Sequence, residues 1–128
     1  MKLLLDTHAL LWFLADDPQL SETSAQHIES LDHVKYVSVA ALWEITLKLG
    51  NGKLSLTGKF DEVFPASLER NGFEVLPAEL PHLSRLLTMP FHHRDPFDRL
   101  QIAQAAVEGM TIVTRDPEFP KYGVPTLW

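Results

Sequence analysis

Short apolar runs alternate along the chain with segments whose apolar residues recur every three or four positions. Such runs are typical of buried strands, and such spacing is typical of helices with one apolar face. The pattern predicts strands at residues 2–5, 36–39, 73–76, 110–114 and 124–128, with the last at a sheet edge, and a short extended piece at 53–56. Strands that alternate with helices form a parallel sheet covered by helices on both faces. The predicted fold class is therefore α/β.

Capping residues mark the ends of the helices between these strands. We predict helices at about residues 8–15, 22–31, 40–49, 60–68, 79–87 and 96–108. The last is the clearest, because Asp95 suits an N-cap, Pro96 suits the first turn and Gly109 suits the C-terminal stop. The first helix carries five apolar residues in a row at 10–14. We expect it to need cover from the sheet and from another helix or a second chain.

The composition narrows the class of protein. The chain has 128 residues, of which 45% are hydrophobic and 22% are charged, and this composition excludes a disordered chain. Because the sequence contains no repeat or linker, we expect one domain over 1–128. The absence of cysteine excludes thiol catalysis, disulfides and thiolate metal sites. No apolar run approaches the roughly 18 residues of a membrane span, and the N-terminal run is too short for a signal peptide. The expectation is a soluble, cytoplasmic protein with no membrane partner.

The net charge adds a constraint on possible ligands. The formal charge of −6 excludes a generic nucleic-acid binder, because non-specific affinity comes from Lys and Arg that neutralise phosphates. A nucleic acid would bind near these acids only if something offset them locally. A divalent cation is one such group.

Four acids fall where an α/β sheet places its ligand site. Asp6 and Asp116 follow predicted strands, while Glu44 and Asp98 lie on helices that begin near the same edge. Ligands of open α/β sheets bind beyond the carboxyl ends of the strands, so four carboxylates from four segments should meet in one crevice. Like charges there require a counterion. Mg²⁺ or Mn²⁺, which prefer oxygen ligands, suit such a set better than zinc does.

Each of these acids also has a structural explanation. Asp6 could cap the helix that follows it, and Asp98 could interact with the dipole of its helix. Glu44 could pair with the lysine four residues on, and Asp116 could be a turn residue before proline. Asp95 is accounted for by its cap alone. The four acids together, and not any one of them, indicate a site.

Other polar residues point more weakly to a function. His92 and His93 lack metal-ligand spacing, so we expect them on a surface loop, and His8 at a helix start is expected to be structural. Thr7 and Ser38 suit caps, with orientation of a bound water as the alternative. Five basic residues flank the acids and are by default solvated surface charges, with guidance of a phosphate backbone as the alternative: Lys48, Lys53, Arg94, Arg99 and Arg115.

Four stretches of the sequence resemble the PIN-domain nucleases, and within them the VapC-type toxins of type II toxin–antitoxin modules. The stretches are Leu-Leu-Leu-Asp-Thr-His at 3–8, Val-Ser-Val-Ala-Ala-Leu-Trp-Glu-Ile at 37–45, His-Arg-Asp-Pro-Phe-Asp-Arg-Leu-Gln-Ile-Ala-Gln-Ala at 93–105 and Thr-Ile-Val-Thr-Arg-Asp at 111–116. They occur in the order of the family and span nearly the whole chain.

The resemblance implies a PIN-like α/β/α sandwich and a Mg²⁺- or Mn²⁺-dependent endoribonuclease that hydrolyses RNA phosphodiesters with a metal-activated water. The four acids of the family fall on Asp6, Glu44, Asp98 and Asp116, which become the expected catalytic and metal-binding residues. Homodimers are also implied, as is a cognate antitoxin protein that blocks the acidic groove.

Two positions of the third stretch qualify the resemblance. Asp95 competes with Asp98 for the third acid, and we prefer Asp98 because the pattern at 102–103 aligns with it. Arg99 stands where many relatives carry a small residue, which leaves the substrate preference open.

Three other functions remain compatible with the sequence. One is a non-toxin PIN nuclease in RNA processing. Another is an aspartate-nucleophile phosphatase with Asp6 phosphorylated, although such enzymes usually carry a second Asp where this chain has His8. The third is a non-enzymatic module in which the acids are caps and the apolar first helix binds a partner.

Overall fold

Five parallel strands form the centre of the molecule in a computed structural model that describes residues 1–128. The strands are β1 (Lys2–Leu5), β2 (Val34–Ser38), β3 (Phe73–Leu76), β4 (Thr111–Val113) and β5 (Thr126–Leu127). They pair in the order β3-β2-β1-β4-β5, and every pairing is parallel. The predicted α/β class and its five strands are confirmed, with strand ends within two residues of the prediction. The predicted extended piece at 53–56 pairs with no strand of the sheet.

Six helices connect or flank the strands. They are α1 (Thr7–Leu14), α2 (Glu22–Glu29), α3 (Val39–Gly50), α4 (Phe60–Arg70), α5 (Leu80–Leu86) and α6 (Pro96–Glu108), followed by a 3₁₀ turn at Phe119–Tyr122. The caps explain several of their ends. The side chains of Asp6, Ser21, Ser38 and Asp95 accept hydrogen bonds from backbone N–H groups at the starts of α1, α2, α3 and α6. Gly109 ends α6 in the left-handed region with φ of 68°, where a residue without Cβ is favoured.

The alternation of β1 assigns its side chains to two apolar layers. Leu3 and Leu5 pack in a core with residues of α1 to α4, whereas Leu4 packs on the other face with residues of α6 and the 3₁₀ turn. All three leucines are fully buried, and burial of each contributes roughly 1.5–3 kcal/mol. The result is the predicted α/β/α sandwich, with its helices on both faces of the sheet.

The path of the chain through the sheet reverses at β1. The chain moves from β1 to β2 and β3 on one side, then crosses back to β4 and β5 on the other side. Strands β1 and β4 are neighbours, with Leu5 opposite Val113. Connections leave these two strands in opposite directions, which opens a crevice beyond their carboxyl ends.

Helix α1 is only partly covered. Ala9 and Leu10 are buried, but the residues at 11–14 are half-buried. A groove of about 600 Å³ runs along this helix, lined partly by residues 53–57 and by α4. The predicted cover from the sheet and from other helices is thus present but incomplete. No helix in the fold has both the length and the apolar character that crossing a membrane requires.

Candidate active site

Asp6 lies at the carboxyl end of β1 and begins α1. Its Oδ1 accepts a hydrogen bond of 2.7 Å from the backbone N–H of Ala9, so it is the N-cap of that helix. The side chain is nearly buried, with 6% of the residue exposed. Burial raises the pKa of Asp6 and outweighs the lowering effects of Thr114, Ala9 and His8, while the charge of Asp116 adds a smaller increase. The capping role of Asp6 is therefore real, but a buried carboxylate at the crevice is also available for chemistry.

Glu44 reaches the crevice from the middle of α3. Its Oε1 accepts a 2.6 Å hydrogen bond from the Thr7 hydroxyl, and its Oε2 lies 3.1 Å from Lys48 Nζ. The predicted i,i+4 ion pair with Lys48 is present. Glu44 is nevertheless buried, so this is not an ion pair on the solvent-exposed surface of the helix. Two partners on two helices hold this carboxylate in one place.

Asp98 and Asp95 occupy different positions at the start of α6. Asp95 Oδ1 accepts hydrogen bonds from the backbone N–H groups of Phe97 and Asp98, as a cap does. Asp98 lies in the first turn, where its carboxylate has a different neighbour, His93, with Nε2 of the ring 3.2 Å from Oδ2. Capping therefore occupies Asp95 and leaves Asp98 free of that duty.

Asp116 follows β4 in a tight turn. Its Oδ1 accepts a 2.9 Å hydrogen bond from the backbone N–H of Glu118, and its own N–H donates to the Thr114 hydroxyl. Asp116 is thus a turn residue, which confirms the structural explanation of this acid. It is also close enough to the other acids to raise the pKa of both Asp6 and Asp98.

The four acids are coupled electrostatically. The pKa of Asp98 is raised from 3.8 to about 8, first by burial and then by the negative charges of Asp95, Glu44, Asp116 and Asp6. Only one Lys or Arg forms a salt bridge with any member of this set, Lys48 with Glu44. A set of partly buried carboxylates with so little compensation favours a bound cation.

The donor set fits a hard divalent cation by its chemistry. All four groups offer carboxylate oxygens, which Mg²⁺ and Mn²⁺ prefer. No three or more His, Asp or Glu side chains are spaced to hold one ion as they stand. Mg²⁺ commonly binds through one or two carboxylates and keeps several waters, so a closed set of protein ligands is not required.

His93 departs from the prediction. We expected it on the surface beside His92, but its side chain is only 16% exposed and contacts Asp98. Its Nδ1 lies 2.8 Å from the hydroxyl of Tyr122, a residue 29 positions further along the chain. His92 is exposed, as predicted. The signal in the sequence that could have identified His93 is its place at the start of the stretch 93–105, which resembles the PIN-domain nucleases.

Arg99 is the second departure. Expected to be solvated, it is 6% exposed. Its Nη1 donates to the carbonyl of Pro90 and to the Tyr122 hydroxyl, and its guanidinium lies 4.0 Å from the centre of the Phe91 ring. Arg99 therefore anchors the loop before α6 and is not free to bind a phosphate.

The remaining polar predictions divide between caps and contacts. Ser38 caps α3 as expected and also donates to the buried Gln104 of α6. Thr7 is not a cap, since its hydroxyl holds Glu44. Arg94 and Arg115 are exposed, and Arg115 lies 4.4 Å over the ring of Trp12. These two arginines stay available to an anionic ligand.

Comparison with known proteins identifies the family of this chain and solved structures with the same fold. A family model described as the PIN domain matches residues 3–125. No curated protein matches the sequence. Among solved structures, the DNA-bound VapBC of Salmonella typhimurium contains a chain with a TM-score of 0.74 and 17% identity, covering 99% of this chain and 97% of that one.

Two further structures share this fold along nearly their whole length. VapBC2 of Rickettsia felis, bound to a promoter DNA fragment, gives a TM-score of 0.73 at 15% identity, with 99% of this chain and 98% of that chain covered. FitAcB of Neisseria gonorrhoeae gives 0.70 at 24% identity, with 98% and 96% covered. At these identities the likeness establishes the fold alone.

Proposed function

The chain belongs to the PIN-domain family of nucleases, and on that premise we propose that it is a divalent-metal-dependent endoribonuclease, the toxin of a toxin–antitoxin pair. One observation carries the proposal. Asp6, Glu44, Asp98 and Asp116 lie on separate elements beside the reversal point of the sheet. Burial, and then the negative charges of Asp95 and of the other three acids, raise the pKa of Asp98 to about 8.

The acids would hold Mg²⁺ or Mn²⁺. Asp6 and Asp98 would bind the ion, with Glu44 and Asp116 completing the set directly or through water. When bound, the ion supplies Lewis-acid activation of water and of the RNA phosphodiester. The chain keeps the carboxylates oriented for this, since Ala9 N–H fixes Asp6 and the Thr7 hydroxyl fixes Glu44.

The cation also resolves the charge problem of an RNA substrate. A protein of net charge −6 repels phosphate, and a bound divalent ion inverts the potential where the scissile phosphate would lie. The exposed side chains of Arg94 and Arg115 would contact neighbouring phosphates. RNA binding should therefore weaken with rising salt, with a small slope that reflects few contacts.

The toxin assignment and the partners rest on different support. The structures that share the fold are named as VapBC and FitAB complexes, which supports a cognate antitoxin as partner. The groove along the half-buried α1 is an apolar surface that such a partner could cover. We further propose a homodimer, because large apolar side chains are exposed on α3, on α5 and directly after α5, among them Trp43, Leu80 and Leu87.

The direct test is cleavage of a structured RNA pool by the purified protein, with Mn²⁺ or Mg²⁺ against EDTA. We expect metal-dependent cutting by the wild type. Asp98→Asn should reduce the rate by at least about 100-fold, the scale on which loss of one electrostatic contributor reduces catalysis. Asp61→Asn, at an exposed acid of α4, is the matched control and should cut at the wild-type rate.

Other outcomes would favour the other functions. Cutting that survives EDTA or Asp98→Asn would remove the metal site from the mechanism. No cutting, together with no metal-induced rise in melting temperature, would favour a partner-binding module. A trapped phosphate on Asp6 would indicate a phosphatase, and cutting without arrest of growth on expression would indicate a nuclease of RNA processing.

A further inference from the structure

The Tyr122 hydroxyl is surrounded by hydrogen-bonding groups from the loop before α6 and from α6 itself. It receives the Arg99 Nη1–H at 3.1 Å and the backbone N–H of His93 at 3.1 Å. His93 also offers it two other atoms, the ring Nδ1 at 2.8 Å and the carbonyl oxygen at 3.3 Å. On its other side, the His93 ring places Nε2 3.2 Å from Asp98 Oδ2.

The capacity of a hydroxyl decides which group donates. A phenolic oxygen has two lone pairs and one hydrogen. The N–H groups of Arg99 and of the His93 backbone occupy both lone pairs, so the oxygen has no room for a third donor. The hydroxyl hydrogen is left, and the His93 Nδ1 is its nearest acceptor, closer than the carbonyl by about 0.5 Å. Nδ1 must therefore accept.

This assignment fixes the other nitrogen of the neutral ring. A neutral imidazole carries one hydrogen, and if Nδ1 accepts, the hydrogen is on Nε2. That N–H points at Asp98 Oδ2, the one side-chain hydrogen bond that this carboxylate makes in the protein.

We propose that His93 is a positioning residue for Asp98, held as its Nε2–H tautomer by Tyr122 and Arg99 so that one oxygen of the Asp98 carboxylate is fixed and the other stays free for a cation. The role of Asp98 as a ligand rests on the proposed function. The tautomer of His93 does not, because it follows from contacts within the protein alone. Outer hydrogen bonds of this kind orient the ligands of metal sites.

The arrangement is rigid enough for this role. Arg99 is buried, is bound to the Pro90 carbonyl and stacks on Phe91, so the donor that fills one lone pair of Tyr122 cannot turn away. The side chains of His93 and Asp98 are 16% and 18% exposed, so water competes little for their contact. Mutating such outer partners typically costs about 10–100-fold in metal affinity.

The first experiment is ¹⁵N NMR of the imidazole rings in the metal-free protein, recorded as a pH series. The pattern of long-range ¹H–¹⁵N correlations tells the two tautomers apart, and His93→Gln identifies the signals of this ring. We expect the Nε2–H form in the wild type and a mixture in Tyr122→Phe, which lacks the hydroxyl. An Nδ1–H form in the wild type overturns the proposal.

The second experiment measures Mn²⁺ affinity by calorimetry. His93→Leu removes the donor and should weaken binding about 10–100-fold. His93→Gln places an amide N–H at a similar reach and should restore most of the affinity, which a merely structural role would not require. His92→Leu is the control, since His92 packs edge-on against Tyr122 at 4.7 Å without contacting an acid, and it should bind as the wild type does.

The outcomes separate the two proposals. If His93→Leu binds Mn²⁺ as tightly as the wild type, or if His92→Leu weakens binding equally, the positioning role is wrong even when RNA is cut. If RNA is not cut but the NMR and Mn²⁺ results hold, the positioning role stands and the nuclease proposal fails. A wild type that binds no Mn²⁺ overturns both, because Asp98 would have no cation to hold.

Discussion

Helices α1 and α6 both begin with acids at the candidate site, but they divide the work differently. At the start of α1, Asp6 alone caps the helix and lies in the crevice. At the start of α6, Asp95 caps and Asp98, one turn along, carries the carboxylate coupled to the other acids. One helix uses one residue for two tasks, and the other uses two residues.

The difference shows which substitutions separate stability from chemistry. Any change at Asp6 that removes its oxygen affects both the helix and the site. At α6 the two effects lie on different residues, so Asp98 can be altered while the cap stays intact. Asp98 lacks the backbone N–H donors that Asp95 binds. Burial, and then the negative charges of the neighbouring acids, raise its pKa to about 8.

The largest effect should be that of pH on the folding stability of the metal-free protein. The pKa of Asp98 is about 8 in the folded state and close to 3.8 in the unfolded state, so between these values the folded chain binds more protons. The stability contributed by this group is complete below about pH 4 and is lost as pH rises toward about 8. The pKa of Asp6 is also raised in the folded protein, so its titration changes the stability in the same direction. We expect the melting temperature of wild type, relative to Asp98→Asn, to fall over this window.

Comparison with Asp98→Asn removes the contribution of other groups, because ordinary ion pairs respond to acid in both proteins alike. The neutral amide cannot titrate, and it relieves the repulsion, so this variant should also melt higher than the metal-free wild type at pH 8. A melting-temperature difference that does not change with pH would mean that Asp98 is ionised and solvated in the folded protein.

The next effect is that of a divalent cation. An ion that binds only the folded state at about 100 times its dissociation constant stabilises by about 2.7 kcal/mol. We expect Mn²⁺ to raise the melting temperature of the wild type and more at pH 8 than at pH 5, because protons compete for the carboxylates. NaCl at matched ionic strength is the control. If Mn²⁺ stabilised Asp6→Asn and Asp98→Asn as much as it stabilises the wild type, the ion would have to bind elsewhere.

Local patterns in the sequence were enough to predict the starts of both helices. Asp95, Pro96 and Gly109 bracket α6 because caps depend on neighbours within a few residues. The apolar runs located all five strands for a similar reason. They could not fix the start of β2 at Val34, because that residue joins the strand by pairing with the first residues of β1.

Contacts between distant segments escaped prediction. His93 and Arg99 were expected at the surface because their type is usually exposed, yet both meet Tyr122, more than 20 positions away. The segment 53–56 has the alternation of a strand but pairs with none of the five strands. The sequence was enough to nominate the four acids as candidates, but their electrostatic coupling depends on the crossing of the chain from β3 to β4.

The smallest effect should be the difference in stability between alanine and asparagine variants at Asp6, Asp95 and Asp98, which shows which of these acids caps its helix. Asparagine can still cap, whereas alanine cannot, and loss of a cap costs about 0.5–2 kcal/mol. We expect Asp6→Ala to be less stable than Asp6→Asn by about 1 kcal/mol, and Asp98→Ala to differ little from Asp98→Asn. Asp95→Ala should likewise be less stable than Asp95→Asn by about 1 kcal/mol. Both Asp95 variants should keep most of the wild-type rate of RNA cleavage. Urea unfolding of metal-free protein measures these differences, and an equal gap at Asp6 and Asp98 would show that the two helix starts are built alike.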